Sequence, residues 1–271
     1  MTLAGSLRRI FLLISILITA AYASARVETG FLDRTVEISG KSYRYQVYVP
    51  IDFHSKKSWP VILFLHGSGE RGSDGLIQTN VGLPQAIRSN RSRFPFIVVI
   101  PQCRDNDSTW STPDMEAQAM AALDAVIKQF HGDRNRIYLT GLSMGGYGVW
   151  QFAIDHPGRF AALVPICGGI RGPSDEPELH VNLPAESKGD PYAEVARLVG
   201  KTPVWIFHGD ADDSVPVEES RHMAAALKAA GATVKYTEYA GVGHDSWNKA
   251  YAEPDLVPWL LAQSLNGRQH Q

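Results

Sequence analysis

Apolar residues follow two different periods along the chain. Eight short runs predict strands: RTVEIS, SYRYQVYVP, PVILFLHG, FIVVIPQ, RIYLTGLS, AALVPICG, PVWIFHGD and VKYTEYA. The first two alternate apolar with polar residues and are joined by Gly40 and Lys41, which is typical of a hairpin. The later runs are almost continuously apolar, as expected for strands that are buried on both faces.

Between these runs, apolar residues recur at helical spacing. PDMEAQAMAALDAVIKQF begins at Pro113 with acidic residues in its first turn, and PVEESRHMAAALKAAG stops at Gly231. The stretch after Ser143 reads as a helix that ends before Gly158, and PDLVPWLLAQSL predicts a last helix. The alternation of strands and helices predicts an α/β fold: a mostly parallel, eight-stranded sheet with helices on both faces.

The segment from Ile170 to Pro191 fits neither period. It is rich in proline, glycine and acidic residues and lies between two predicted strands. A long segment without periodicity predicts a surface excursion, and such loops often form lids or binding walls. A neutral insertion is the alternative.

The first 25 residues differ in composition from the rest. They contain SLRR, then the apolar run IFLLISILITAA, then ASA at Ala23 to Ala25. This order is typical of a secretory signal peptide. The run is shorter than the roughly 20 residues that span a bilayer, so we expect no stable membrane anchor after cleavage. The sequence predicts a signal peptide over 1–25, a catalytic domain over 26–271, and a secreted or periplasmic protein.

Composition excludes several classes of function. With 44% apolar and 20% charged residues, the chain can form one sizeable core, and its formal net charge of -2 gives no footprint for nucleic acid. Cys103 and Cys167 are the only cysteines, and buried thiols are favoured over a disulfide. Without histidines at ligand spacing, two isolated cysteines predict no metal site, and we expect no cofactor. No feature of the sequence indicates an oligomeric state.

The stretch TGLSMGGYG places Ser143 between glycines, after a predicted strand and before a predicted helix. The glycines could serve only a tight turn, because glycine tolerates positive φ. They could instead form a nucleophile elbow, GxSxG, which holds the serine oxygen above the sheet. Three other stretches also follow predicted strands: HGSGERG, HGDADDSVP and GVGHDSW. Ligand sites in open parallel sheets lie at the carboxyl ends of the strands. This coincidence favours the elbow.

A serine nucleophile needs a base, and the base needs an orienting acid. His244 is the candidate base, because it follows the last strand in the glycine-flanked loop GVGHDSW. His66 and His208 precede glycines at other strand ends, and we expect them to brace loop backbones. The acid is sought in HGDADDSVP, which offers three carboxylates: Asp210, Asp212 and Asp213.

Backbone amides should stabilise the oxyanion. Met144, directly after Ser143, is one predicted donor. The second comes from the loop HGSGERG, where Ser68 is preferred and Gly69 is the alternative. In the same loop Glu70 and Arg71 are predicted to form an ion pair, although Arg71 could instead contact substrate.

Three aromatic residues flank predicted strand ends and are candidate substrate contacts: Trp110, Tyr147 and Trp247. Large aromatic residues are more often core than binding surface. Trp110, after a polar loop, is the preferred candidate.

The Ser143 stretch and the stretches HGSGERG, HGDADDSVP and GVGHDSW, in this chain's order, resemble the alpha/beta-hydrolase superfamily, and the likeness covers nearly all of residues 26–271. More narrowly, a set of five strings resembles the bacterial branch of predicted peptidases and esterases, related to feruloyl esterases, dienelactone hydrolases and polyhydroxybutyrate depolymerases. The strings are FLHGSGERG, VIPQC, GLSMGGYGVW, FHGDADDSVP and GVGHDSW. The resemblance implies a triad of Ser143, His244 and Asp212, with Asp213 the second choice for the acid. The long segment Ile170 to Pro191 departs from compact relatives.

The leading hypothesis is therefore an exported serine carboxylesterase acting on a small-molecule or polysaccharide-linked ester, such as a feruloyl or acetyl ester. Analogy disfavours a serine peptidase, since the chain has no room for the additional domain that prolyl-oligopeptidase relatives carry. A non-catalytic carbohydrate-binding module is the third possibility.

Overall fold

The computed structural model describes residues 28–55, 57–104 and 108–267, so the predicted signal peptide lies outside the described residues. All eight predicted strands are present and form one sheet in the order β1-β2-β4-β3-β5-β6-β7-β8. The strands are β1 (Gly30–Ile38), β2 (Lys41–Val49), β3 (Trp59–Leu65), β4 (Ile97–Pro101), β5 (Gly132–Leu142), β6 (Ala162–Ile166), β7 (Val204–Gly209) and β8 (Val234–Tyr239).

The sheet is antiparallel at one edge and parallel elsewhere. β1 and β2 form the predicted hairpin, and β2 pairs antiparallel with β4. The remaining pairs, from β4-β3 through β7-β8, are parallel. The carboxyl ends of six strands therefore point to one edge of the sheet, where the marked loops meet.

The described residues contain seven α-helices: α1 (Leu83–Ser89), α2 (Pro113–Gln129), α3 (Met144–Asp155), α4 (Pro191–Val199), α5 (Glu218–Ala229), α6 (Trp247–Ala252) and α7 (Leu256–Leu261). Among these residues, no helix has the length and apolar character needed to cross a bilayer. The pattern predicts α2, α3 and α5 well. It overestimates α7, because Leu265 N donates to Asn135 O and directs the chain back to β5.

The helices cover both faces of the sheet, as predicted. Side chains of β3 alternate between the two cores, so that Val61, Leu63 and Leu65 face one core while Ile62 and Phe64 face the other. Residues of α2, α3, α4 and α5 complete the first core, and residues of α1, α6 and α7 complete the second. Burial of both faces explains why the central strands are almost continuously apolar.

Candidate active site

Ser143 lies on a sharp turn between β5 and α3. Its backbone has φ 53° and ψ −121°, a conformation that a serine adopts only when the surrounding structure holds it there. Ser143 N donates to Ile166 O at 3.0 Å, which ties the turn to β6. The strained turn directs the Ser143 side chain into a cavity above the carboxyl edge of the sheet.

Close backbone contacts explain the glycines around Ser143. A Cβ atom at Gly145 would lie 2.0 Å from Leu65 O, and one at Gly141 would lie 2.3 Å from Gly145 O. α3 can approach β3 and leave β5 this tightly only when both positions lack a side chain. The geometry therefore agrees with the elbow interpretation rather than with a simple turn.

We expect Gly145→Ala to destabilise the protein by about 3 kcal/mol or more, because its Cβ would meet backbone rather than a movable side chain. Gly267→Ala, at a site with no atom within 4 Å of the added carbon, is the matched control. Chemical unfolding of both variants measures the difference. An unchanged midpoint for Gly145→Ala would show that α3 can shift away from β3.

His244 connects the serine to a carboxylate. Its Nε2 lies 2.9 Å from Ser143 Oγ, and its Nδ1 lies 2.8 Å from Asp212 Oδ2 and 3.0 Å from Oδ1. The imidazole is 23% exposed and meets the Trp247 ring edge to face at 5.5 Å. A neutral imidazole that donates from Nδ1 to the carboxylate presents an unprotonated Nε2 to the serine hydroxyl.

The loops after β7 and β8 are joined by backbone contacts, which bring acid and base together. Ala211 N donates to Val242 O at 3.0 Å, and Gly241 N donates to the Asp210 carboxylate at 2.6 Å. Asp210 thus braces the histidine loop and does not contact the imidazole, whereas Asp212 does. Of the three carboxylates in HGDADDSVP, the geometry selects Asp212.

Asp212 is buried and heavily hydrogen-bonded. Its Oδ1 accepts from Ser214 N and Val215 N, both at 2.9 Å. Burial alone would raise the pKa of this carboxyl, but hydrogen bonds from His208, His244 and Val215 N outweigh burial and hold the pKa well below its usual range. Asp212 is therefore an anion at neutral pH and can stabilise a positive charge on His244.

His208 is a contact of Asp212 that the sequence analysis missed. Its Nε2 lies 3.1 Å from Asp212 Oδ2 and 3.0 Å from Val215 O, while its Nδ1 lies 2.7 Å from Ser220 Oγ. Both partners of Nε2 are acceptors, so Nε2 carries the proton and Nδ1 accepts from the Ser220 hydroxyl. His208 braces a loop, as predicted, but it also holds the acid. Its position four residues before Asp212 in the stretch HGDADDSVP is the signal that could have indicated this.

We expect His208→Gln to lower kcat about tenfold or more with little change in KM, because a hydrogen bond to a charged group contributes ~1.5–3 kcal/mol. Ser220→Ala should have a smaller effect of the same kind. Steady-state kinetics on a 4-nitrophenyl ester test both variants, with the exposed His54→Gln as control. A change confined to KM would contradict a positioning role.

His66 fulfils the structural role predicted for it. The ring is fully buried; Nδ1 donates to Gly67 O at 2.7 Å, and Nε2 accepts from Cys103 N at 2.9 Å. Burial lowers the pKa of His66 to about 4, so the ring stays neutral. It fixes the start of the HGSGERG loop against the end of β4.

The HGSGERG loop lies beside the serine. Ser68 begins a single 3₁₀ turn, and Met144 begins α3, so both amides belong to helix positions without an intrahelical acceptor. Ser68 lines the same cavity as Ser143. Glu70 and Arg71 do not pair with each other, contrary to prediction: Glu70 accepts from Gly67 N at 3.1 Å, and Arg71 donates to Ser108 O at 2.8 Å.

Ser143 and His244 open into a cavity of about 390 Å³. Its walls come from the HGSGERG loop, the segment after β6, and the loops that follow β7 and β8. The other lining residues are Gly67, Ser68, Gly69, Glu70, Leu142, Pro173, Asp175, Glu176, Leu179, Asp213, Ser214, Val215 and Trp247.

The three aromatic candidates separate in the structure. Trp110 is fully buried and donates from Nε1 to His66 O, and Tyr147 is 1% exposed and donates to Arg171 O. Neither lines the cavity, because each finds its polar partner inside the protein, and both are corrected to core residues. Only Trp247 lies in the cavity wall.

The segment Ile170 to Pro191 forms one side of the cavity. Its Pro173, Asp175, Glu176 and Leu179 line the space above Ser143, which favours the binding-wall alternative over a neutral insertion. Glu219 on α5 fixes both ends of the segment. Its carboxylate accepts from Ile170 N, Arg171 N and the Tyr192 hydroxyl, at 2.5 to 3.0 Å.

Both cysteines are buried, and no disulfide joins them. Cys167, Asp212 and His244 place ligand atoms within 4.8 Å of one another, the one such group among the described residues. Asp212 and His244 already bond to each other, and burial raises the pKa of the Cys167 thiol, which disfavours the thiolate a metal needs. The absence of a metal stays a prediction.

Comparison with known sequences identifies the family of this chain. The profile described as "Putative esterase" matches residues 37–259, most of the chain. The chain belongs to this esterase family. A putative carboxymethylenebutenolidase of Methylorubrum extorquens is 31% identical over 55% of this chain, and an uncharacterised secreted protein of Arthroderma benhamiae is 28% identical over 68%. The matches span half of the first relative and about a fifth of the second.

Solved structures show the same fold for this esterase-family chain. A thermostable esterase superposes with a TM-score of 0.72 at 31% identity, covering 86% of this chain and 63% of that one. A ferulic acid esterase superposes with a TM-score of 0.64 at 20% identity, covering 85% and 96%. The predicted alpha/beta-hydrolase fold is confirmed.

Proposed function

We propose that this protein is an exported serine esterase that cleaves carboxylic esters through Ser143, His244 and Asp212. The observation that carries the proposal is the hydrogen-bonded line from Asp212 through His244 to Ser143 Oγ. Membership of an esterase family supports ester hydrolysis as its chemistry. Export rests on the N-terminal composition and on the similarity to a protein described as secreted.

In the first half-reaction, His244 Nε2 takes the proton of Ser143 as its Oγ attacks the ester carbonyl carbon. The carbonyl oxygen becomes an oxyanion, for which the Met144 and Ser68 amides are the proposed donors. Asp212 stabilises the imidazolium. The intermediate then collapses: the bond to the alcohol oxygen breaks, His244 returns the proton to the leaving alcohol, and the acyl group stays on Ser143.

In the second half-reaction, a water molecule replaces the alcohol. His244 takes a proton from this water, whose oxygen attacks the acyl carbon. The bond to Ser143 Oγ breaks, and the proton passes to that oxygen. The products are a carboxylic acid and the regenerated enzyme.

The cavity favours an ester with a moderate acyl group. Its volume of about 390 Å³ is within the usual range for small-molecule sites, and Leu142, Leu179, Val215 and Trp247 supply apolar surface. An aryl acyl group such as feruloyl, or an acetyl group on a polysaccharide, is compatible with this wall. Because only Trp247 of the three aromatic candidates lies there, aryl selectivity rests on one residue.

Labelling by a fluorophosphonate tests the nucleophile. Ser143 Oγ should displace fluoride from phosphorus, and peptide mass spectrometry should place the phosphonyl group on Ser143. No adduct would overturn the mechanism and favour a binding module. An adduct on another residue would also overturn it, because a different group would then be the nucleophile. A panel of acetyl, butyryl, feruloyl and peptide substrates then separates an esterase from a peptidase.

A further inference from the structure

The walls of the cavity carry an unusual balance of charge. Four carboxylates line it, from three separate segments: Glu70 in the HGSGERG loop, Asp175 and Glu176 in the wall after β6, and Asp213 after β7. His244, the proposed base, is the one basic side chain among the described lining residues. The cavity wall therefore presents mainly negative charge to an entering substrate.

The neighbouring arginines do not neutralise these carboxylates. Arg71, adjacent to Glu70, donates from Nε to Ser108 O. Arg171, four residues before Asp175, lies with its guanidinium 5.4 Å from the centre of the Tyr192 ring, which lines a separate groove. Within the described part of the chain, none of the four carboxylates forms an ion pair.

Given the proposed esterase function, we propose that the cavity selects substrates by charge: it accepts esters whose non-reacting parts are neutral or cationic and excludes esters with a carboxylate near the scissile bond. An anionic substrate loses water around its charge and gains no cationic partner in the cavity. Like charges of the wall repel it on approach, and a cleft lined by one sign of charge concentrates ligands of the opposite sign. The charge selects the substrate class, while Ser143 performs the chemistry.

Asp175 and Glu176 are the main specificity-determining residues. Both are exposed, lie on the wall segment, and take no part in the hydrogen bonds that join Ser143, His244 and Asp212. Glu70 has a structural partner in Gly67 N, and Asp213 adjoins the acid. Changes at Asp175 and Glu176 therefore report on substrate charge with the least disturbance of the site.

Three 4-nitrophenyl esters with a common six-carbon acyl chain test the proposal: hexanoate, monoadipate, and 6-(trimethylammonio)hexanoate. At low ionic strength we expect kcat/KM for the hexanoate to exceed that for the monoadipate at least tenfold, with the cationic ester at least equal to the hexanoate. Salt should reduce the discrimination, since Asp175, Glu176 and Asp213 are exposed. Glu70 contributes less charge, because it is half-buried and burial raises its pKa.

The double variant Asp175→Asn/Glu176→Gln should lower the hexanoate-to-monoadipate ratio several-fold. Glu178→Gln, an exposed carboxylate of the same segment outside the cavity wall, is the matched control and should leave the ratio unchanged. Equal rates for anionic and neutral esters, or a ratio that the double variant does not alter, would overturn charge selection. If none of the three esters is hydrolysed, or if hydrolysis survives the Ser143→Ala substitution, the proposed function is overturned instead.

Discussion

The Ser143→Ala variant is expected to lower kcat for 4-nitrophenyl butyrate about 10⁶-fold, the size of effect seen when a triad serine is removed. The variant should also resist the fluorophosphonate. Alanine at φ 53° is as strained as serine, and Ser143 N keeps its hydrogen bond to Ile166 O. We therefore expect the folded state to keep its stability.

Ser111→Ala is a suitable control, because Ser111 donates its hydroxyl to His180 O outside the cavity. Kinetics and thermal unfolding of both variants complete the comparison. If Ser143→Ala retained activity within tenfold of the native protein, another group would have to be the nucleophile. If it lost activity together with its fold, the unfolding curve would reveal it.

The Asp212→Asn variant is expected to lower kcat about 10⁴-fold with its geometry retained. An asparagine amide can donate to His244 Nδ1, which places the ring proton on Nε2 and removes the base from Ser143. The pKa of Asp212 is held well below its usual range, so the carboxylate stays ionised when a solution is acidified into the range of ordinary carboxyl groups. Loss of activity at mildly acidic pH should therefore report a group other than Asp212.

Asp213→Asn is the matched comparison for Asp212→Asn. Asp213 is exposed, follows the acid directly and makes only a long contact, 3.4 Å, with the Ser214 hydroxyl. We expect it to alter kcat for a neutral ester less than tenfold. Similar losses for the two variants, in pH-rate profiles measured side by side, would show that the sequence pattern and the hydrogen bonds point to the wrong carboxylate.

Much of this site is predictable from local patterns. Ser143 carries its own signal, because only a backbone without neighbouring side chains can form the elbow, and Gly141 and Gly145 meet that need. His244 follows the last strand and lies at the carboxyl edge by topology alone. Asp212 could be identified as the acid only through the resemblance to the family, because the three aspartates of HGDADDSVP have the same chemistry.

Contacts between distant segments were not predictable in the same way. Nothing local distinguishes Trp110, which finds a backbone acceptor in the core, from Trp247, which lines the cavity. The helix α4 was missed although Asp190 accepts from Ala193 N at its start and Pro191 follows, both ordinary start signals. Both residues end a polar segment that lacks periodicity, so the sequence pattern does not mark where the segment stops and the helix starts.

One carboxylate, that of Glu219, holds both ends of the cavity wall through Ile170, Arg171 and Tyr192. Within the wall, Leu179 and Val181 are buried in the core, whereas residues 172–178 are exposed or half-buried. The stretch 172–178 can therefore be exchanged for a shorter or longer one while its junctions stay in register. Loop length itself costs little entropy, about 0.6 kcal/mol for each doubling. Grafting segments between residues 171 and 179 is thus a route to new acyl preferences with Ser143, His244 and Asp212 unchanged.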